Sequence, residues 1–400
     1  MNYTGPGLAN EASTPHRCLD ADYLALPFFD DRHREVAARL ESWLREKDAA
    51  IEAALAQSPK EATRRAIGLL GEAGWFSAAV SESIDYRIIC IVREGLAYRH
   101  DLLDFAFSIQ VLSALPLVLW GTEDQRSQFL PGLLAGRRIA AFALTERESG
   151  SDVASVALAA TPAGQDYRLA GEKNWIANAD IADHIMVLAR TGAGTGPMGL
   201  SLFFADASTA GLTAEAVELI APRPFGHLHF ADCVIPGGRI IGGNGAGLAV
   251  ALDTLERVRM SVGAAANGFA RRALHEARTH VTRVRATGTR LADIPVVQQK
   301  LARMAVALHT ARLAVAQAAW DMDRDGGSRC LTSSLAKLHA TETAQSVVDD
   351  CVQLHGAAGV VSNSVPERLY RQVRSLRIYE GTSEIQEAIL GEAVTYGFLG

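Results

Sequence analysis

The segment Ile378-Tyr379-Glu380-Gly381-Thr382-Ser383 sets an acidic side chain beside a glycine, just ahead of an apolar run with helical spacing. A carboxylate in that position can serve as a general base, and a glycine lets the backbone approach a ligand closely because no side chain intervenes. Taken alone, Glu380 reads more readily as an exposed loop carboxylate. Ser383 and Gln386 stand at capping-box spacing, and a helix start offers N–H groups and a positive dipole end to an anionic ligand group. A second polar turn follows Phe142-Ala143-Leu144. Thr145, Ser149 and Ser151 supply hydroxyls around Gly150, a combination suited to carbonyl or phosphate oxygens.

Other candidates carry less. His227 and His229 share one strand face, but with no third ligand they read as a surface-facing pair, and no metal is expected. Cys18, Cys90, Cys233, Cys330 and Cys351 are far apart, without a CxxC pair, and read as buried, reduced thiols of a cytoplasmic protein. The glycines of Gly242-Gly243-Asn244-Gly245-Ala246-Gly247 miss the G-x-G-x-x-G spacing, which excludes a Rossmann reading.

The elements that must position these residues fall into three regimes. From about Asp30 to Ala135 apolar residues recur at helical spacing, as in Val36, Leu40, Trp43 and Leu44, and Thr122 with Gln125 has capping-box spacing. From about Ile139 to Ile241 short apolar runs (Ala140 to Leu144, Ile185 to Ala189, Leu200 to Phe204) alternate with Gly, Pro and Asn clusters, which reads as strand and turn. Helical period then returns over roughly 248–285, 293–323, 331–354 and 383–396. Helix, then sheet, then helix excludes alternating βαβ units and favours an α+β chain, mainly α, ending in a helical bundle. The expected divisions are a flexible lead-in over 1–27, a helical domain over 28–138, a β-domain over 139–245 and a helical bundle over 246–400.

Gross composition agrees. With 48% hydrophobic and 21% charged residues the chain is well cored. The 39 basic residues are outnumbered by 45 acidic ones, for a net charge of -6, which argues against nucleic-acid binding. No apolar run reaches the roughly 20 residues that span a bilayer, and residues Met1 to Asp20 lack a signal pattern.

Five segments, in order, resemble the acyl-CoA dehydrogenase family. Thr145-Glu146-Arg147-Glu148-Ser149-Gly150-Ser151-Asp152 is similar to its flavin-contacting TEPxxGSD signature, and Gly171 to Ala179 resembles its GxKxWITNA motif. Leu255 to Arg259 and Gln353 to Ala357 follow in order, and Glu380-Gly381-Thr382-Ser383-Glu384-Ile385-Gln386 matches the family's EGTSEIQ. The resemblance covers about Gly121 to Leu399; before that only helical character and Gly74-Trp75 match, and the family's EEYGG-like loop is replaced by the shorter Ser81 to Asp85.

The resemblance implies an amino-terminal helical domain, a middle β-domain and a carboxy-terminal four-helix bundle, assembled as a homo-oligomer, a tetramer or dimer. It implies an FAD flavoprotein of fatty acid metabolism that converts an acyl-CoA to the trans-2-enoyl thioester. Glu380 removes the α-proton, FAD N5 accepts the β-hydride, and an electron-transfer flavoprotein takes the electrons. The Glu380 N–H and a flavin ribose hydroxyl are the implied enolate donors. Implied flavin contacts are Phe142, Leu144, Thr145, Gly150, Ser151, Trp175, Ile176, Gln353, Gly356, Thr382 and Glu384, and implied substrate contacts are Ser151, Arg259 and Gly381. A surface i,i+3 ion pair with Glu256 is the other reading of Arg259, and a core aromatic the other reading of Trp175. Residues around Phe105 to Leu115 are candidates for the acyl pocket floor.

Four positions depart from the family pattern. Ala177 replaces the motif threonine that bonds the flavin edge. Val284 and Thr287, aligned on Gly288, replace the arginine and phenylalanine of RxxFG, and Pro295 replaces the glutamine of its FQ pair. Arg283 and Arg285 flank the lost cation, and weaker FAD retention or a shifted interface is the expectation. Three alternatives stay open: a dehydrogenase of acyl or aminoacyl groups on a carrier protein, an oxygen-reactive flavoenzyme, and a non-catalytic homologue serving as a binding subunit.

Overall fold

The computed structural model describes residues 19–80, 84–192, 196, 198–325 and 330–397. The first helical layer comprises α1 (Ala21–Leu24), α2 (Asp31–Glu46), α3 (Asp48–Leu55), α4 (Pro59–Glu72), α5 (Trp75–Ala79), α6 (Tyr86–Arg99), α7 (Asp101–Trp120) and α8 (Glu123–Leu134). Its helix starts are written locally. Ser58 accepts the Glu61 N–H ahead of Pro59 at the first helical position, and Asp85 accepts the Ile88 N–H to begin α6. Thr122 and Gln125 form the reciprocal capping box of α8 that their spacing announces. By length and composition α7 is apolar enough to cross a membrane, yet it lies mostly buried inside the protein.

The flexible lead-in expected over residues 1–27 does not hold for its last nine residues. From Leu19 the chain is packed: Leu19, Tyr23 and Leu24 are buried, and Asp20 pairs with Arg312 at 2.9 Å. Residues 1–18 and Ser81 to Ser83 lie outside the described residues.

Eight strands follow: β1 (Ala140–Ala143), β2 (Ala159–Ala163), β3 (Asp166–Ala177), β4 (His184–Arg190), β5 (Leu200–Asp206), β6 (Leu212–Val217), β7 (Phe225–Ile235) and β8 (Ile240–Ile241). They form one sheet in the order β6-β7-β3-β2-β4-β5-β8, with β1 parallel to β4. The last regime holds α9 (Gly247–Thr282), α10 (Pro295–Asp325), α11 (Cys330–His355), α12 (Val365–Val373) and α13 (Ser383–Thr395). Helix α12, nine residues long, is absent from the sequence reading, being too short for its period to stand out.

One close approach helps to set the site. Where α9 crosses α6, a Cβ at Gly268 would meet the Glu94 carbonyl oxygen at 2.4 Å, so only glycine permits the backbones to come so near. The buried faces of α6, α7, α9 and α11 then form one continuous core. Cys90, Cys233 and Cys351 are buried and free; Cys18 and the Cys330 side chain lie outside the described residues.

Candidate active site

Glu380 sits in the turn between a short 3-10 helix, Arg374–Arg377, and α13. Its φ is +55° and that of Gly381 is +90°. Two successive left-handed residues are costly, on the order of 1 kcal/mol or more for the non-glycine one, and persist only where surroundings over-determine them. Here side chains from two other helices and from α13 grip the turn by its carbonyls. Lys337 Nζ donates to the Gly381 carbonyl at 2.7 Å, and Gln386 Nε2 donates to the same oxygen at 3.2 Å. Arg259 Nε donates to the Glu380 carbonyl at 3.4 Å. Lys337 and Gln386 are wholly buried, and Arg259 nearly so. In planar trans peptides the N–H points opposite the carbonyl, so the Gly381 and Thr382 N–H groups point away from these donors.

The local fold explains how Arg259 reaches the turn. Ser333 Oγ on α11 accepts the Met260 N–H at 3.1 Å and donates to the Glu256 carbonyl at 3.0 Å. It therefore stands inside the i→i−4 ladder of α9 between those two groups, an insertion that opens a helix locally. Arg259 lies within that opened turn, and its Nη1 donates to Ser334 Oγ at 3.1 Å. It is thus a buried member of the site rather than a surface partner.

The Glu380 carboxyl faces a small cavity lined also by Ile89 and Arg93 of α6, Ser108, Val111 and Leu112 of α7, and Val258 and Ser261 of α9. Ser108, Val111 and Leu112 belong to the stretch expected to floor an acyl pocket; Phe105 instead packs with Ala62, Leu102 and Ala177. Glu380 as a residue is half-buried, but its Oε2 is enclosed and has no hydrogen-bond partner. Burial pushes the Glu380 carboxyl up to about 7, against the opposing pull of Arg93, Arg259 and Lys337 and with a further push from Asp104. Burial likewise brings the Lys337 amine down to about 8.

Two buried ion pairs stand behind the cavity, one turn apart on α7. Arg93 Nε and Nη2 donate to Asp104 at 2.8 and 3.0 Å, and Arg223 makes the corresponding two-pronged pair with Asp101. Sequence reasoning missed Lys337, Ser333, Arg93, Asp104 and Ser261 as site residues. For Lys337 a signal existed: it is the only cation on a helix face of Ser333, Ala336, Ala340, Thr341 and Ala344, the company a buried residue keeps.

The second polar turn lies at the end of β1. Lys173 Nζ, wholly buried, donates to the Leu144 carbonyl at 2.8 Å and to Glu146 at 2.7 Å, and Asn174 N–H bonds the Thr145 carbonyl. These bonds join the Thr145 turn to Trp175. Thr145 is half-buried, Ile176 buried, and Gly150 and Ser151 exposed. Ser149 is turned inward, its hydroxyl donating to the Asp152 carbonyl, so it is spent on the turn and not available as a ligand hydroxyl. Trp175 is 43% exposed with a φ of +54°, its N–H on His227 Nδ1 at 3.3 Å. That exposure removes the core-aromatic reading. A strained, exposed indole at a strand end is what a flat ring ligand would cover, and in this respect the residues fit a flavin. His227 is thus an anchor for Trp175, and His229 sits between Glu172 and Glu215.

Other expected contacts are more scattered. Phe142 packs half-buried beneath the Leu144 turn, and Gln353 and Gly356 are exposed at the carboxy end of α11. The cap of α13 is one residue earlier than its spacing suggests: Thr382 accepts the Ile385 N–H, while the Ser383 hydroxyl goes to Glu342 and Gln386 turns back to the Glu380–Gly381 carbonyls. Glu384 stands in the first turn of α13, where its own N–H and the Thr382 side chain hold its carboxyl below the usual range. Ala177 is buried in an apolar cluster with Phe105. Val284 is 71% exposed, Thr287 Oγ1 bonds Thr289 Oγ1, and Arg283 and Arg285 are exposed on the same loop.

A helical domain, a β-domain and a helical bundle, with a desolvated carboxylate between the two helical parts, define a class, and comparison with known proteins identifies it. The chain matches the acyl-CoA dehydrogenase N-terminal domain over residues 30–137, the middle domain over 141–233 and the C-terminal domain over 245–395. It belongs to the acyl-CoA dehydrogenase family. A probable acyl-CoA dehydrogenase, fadE25, of Mycobacterium leprae is 33% identical over 381 residues, covering 92% of this chain and 98% of that one. Among solved structures, a glutaryl-coenzyme A dehydrogenase in complex with glutaryl-CoA superposes with a TM-score of 0.86 at 25% identity, over 92% of this chain and 96% of that one. A glutaryl-CoA dehydrogenase from Mycobacterium smegmatis in complex with FADH2 gives 0.81 at 25% identity, over 92% and 96%.

Proposed function

We propose that the protein is an FAD-dependent dehydrogenase that introduces a trans α,β double bond into an acyl-CoA thioester, with Glu380 as the base. The observation that carries this reading is the Glu380 carboxyl itself: enclosed, unpartnered at Oε2, and raised to about 7. A proton α to a thioester is weakly acidic, and a base works best with a pKa near the working pH. Flavin, when bound, supplies the acceptor for the β-hydride. Thr145, Trp175 and Ile176 would hold its ring system, and Thr382 lies at the helix start beside the base.

The chain's own residues do the rest. Lys337, Gln386 and Arg259 fix the turn by its carbonyls so that the carboxyl faces the cavity, and the Glu380 N–H is the proposed donor to a developing enolate oxygen. Val111, Leu112, Val258 and Ile89 exclude water from the acyl side, which keeps the carboxylate basic. The proposed electron acceptor is an electron-transfer flavoprotein. The proposed assembly is a homo-oligomer, with apolar surface at Val296, Val306, Val360 and Val394 to be covered, and the proposed location is cytoplasmic. The test is anaerobic mixing of the flavin-loaded protein with acyl-CoA and matched acyl-carrier-protein thioesters. Rapid bleaching by the CoA series is expected, bleaching by the carrier series alone would move the substrate assignment, and none by either would defeat the reading.

A further inference from the structure

The cavity beside Glu380 has one wall that an alkyl chain would not call for. Ile89, Val111, Leu112 and Val258 are apolar, but Arg93, Ser108 and Ser261 lie among them, and Arg93 is only 2% exposed. A guanidinium carries five N–H groups. Three of those of Arg93 are committed: Nε and Nη2 to Asp104 at 2.8 and 3.0 Å, and Nη1 to Ser261 Oγ at 2.9 Å. Two remain, on a residue that lines the cavity. Leaving a buried donor unmet costs roughly 1–3 kcal/mol, so an acceptor that meets them gains that energy.

The second ion pair on α7 is an internal control. Arg223 spends four of its five N–H groups on protein: two on Asp101, one on Ser375 Oγ and one on the Gln372 carbonyl. It does not line the cavity. The pair that ties the loop between β6 and β7 to α7 therefore has its donors largely consumed, whereas the pair at the cavity keeps donors in reserve. Asp104 balances the Arg93 charge without using those donors. Ser108, whose hydroxyl donates to the Phe105 carbonyl at 3.1 Å, adds polar surface at the same wall.

Resting on the dehydrogenase reading, we infer that the preferred acyl group carries a hydrogen-bond-accepting oxygen, keto or carboxylate, at its distal end, which Arg93 receives. A plain alkanoyl chain of the same length would bury the Arg93 donors unmet. The distal oxygen takes no part in the chemistry; Arg93 sets specificity and Glu380 removes the proton.

The experiment uses the full-length, flavin-loaded protein. Hexanoyl-, pentanoyl-, 4-oxopentanoyl- and glutaryl-CoA are compared by anaerobic flavin bleaching, and by binding to the Glu380→Gln variant through the change in flavin absorbance. The expected result is at least about tenfold preference, the equivalent of roughly 1.4 kcal/mol, for an oxygen-bearing acyl group over its alkanoyl match in both readouts. Preference for glutaryl alone assigns a carboxylate, and preference for both oxygen-bearing groups assigns any acceptor oxygen. The double variant Arg93→Met/Asp104→Leu, which replaces the ion pair by apolar side chains, should keep its flavin and lose the preference in ligand binding. Equal or better binding of the alkanoyl thioesters to the Glu380→Gln variant overturns the inference, as does a preference that survives the double variant. Preferential binding of the oxygen-bearing series with no bleaching of the parent protein would leave this inference standing and defeat the dehydrogenase reading instead.

Discussion

Lowering the pH from 8 to 6 should slow single-turnover flavin bleaching by about tenfold. The Glu380 carboxyl is held up to about 7 by burial, which outweighs Arg93, Arg259 and Lys337. Only the ionised carboxylate can take the α-proton, so the rate follows its ionised fraction, about one-eleventh at pH 6 and about ten-elevenths at pH 8. An ordinary exposed glutamate would be ionised throughout that range, and the rate would be flat. The same shift has a stability signature of opposite sign. Because the folded value lies above the unfolded 4.5, the folded protein binds more protons between the two. Stability therefore falls as pH rises from about 4.5 to 7 and is level above, the total being at most about 3 kcal/mol. Glu380→Gln removes that slope, so the variant should melt higher than the parent at pH 8. The assay is stopped-flow bleaching across the pH range with the best acyl-CoA, paired with thermal melts of both proteins. A rate independent of pH between 6 and 8 would refute the reasoning.

Lys337→Met should lower kcat by roughly 10–100-fold with KM little changed, because it frees the Gly381 carbonyl and lets the strained turn relax; Lys337→Arg should recover part of it, and unchanged kcat in steady-state assays would show that the grip is dispensable. Arg223→Met leaves Asp101 buried and unpaired, so a loss of about 3–5 kcal/mol in denaturant melts is expected; a melt within 1 kcal/mol of the parent would show that the pair contributes little. With Ala177 in an apolar cluster and Val284 exposed, FAD should be partly lost on dilution and gel filtration, and flavin retained at one per chain would contradict this.

The change from helical to strand period and back is carried by dozens of side chains, so the three-part architecture was legible without any single residue being decisive. Glu380 was legible because its motif is local: base, glycine and helix start lie within seven residues. What was not legible is what holds the base. Lys337 and Gly381 are 44 positions apart, and Arg93 and Ser261 are 168 apart. Such contacts exist only once α6, α7, α9 and α11 have packed, and no local spacing encodes them. Ser333 illustrates the point further, since a serine within a helix announces nothing about entering another helix's hydrogen-bond ladder. The capping-box spacing of Ser383 and Gln386 misled for the same reason: both side chains had stronger partners in the tertiary structure, Glu342 and the Glu380–Gly381 turn.

The most direct test of the assigned base is the Glu380→Gln variant, mixed anaerobically with the acyl-CoA that bleaches the parent protein fastest. The amide keeps the shape of the side chain and cannot accept the proton. Flavin content and the absorbance change on ligand binding should match the parent, while bleaching slows by about 10²–10⁴-fold. Bleaching at the parent's rate, with flavin and ligand bound, would contradict the assignment of Glu380 as the base.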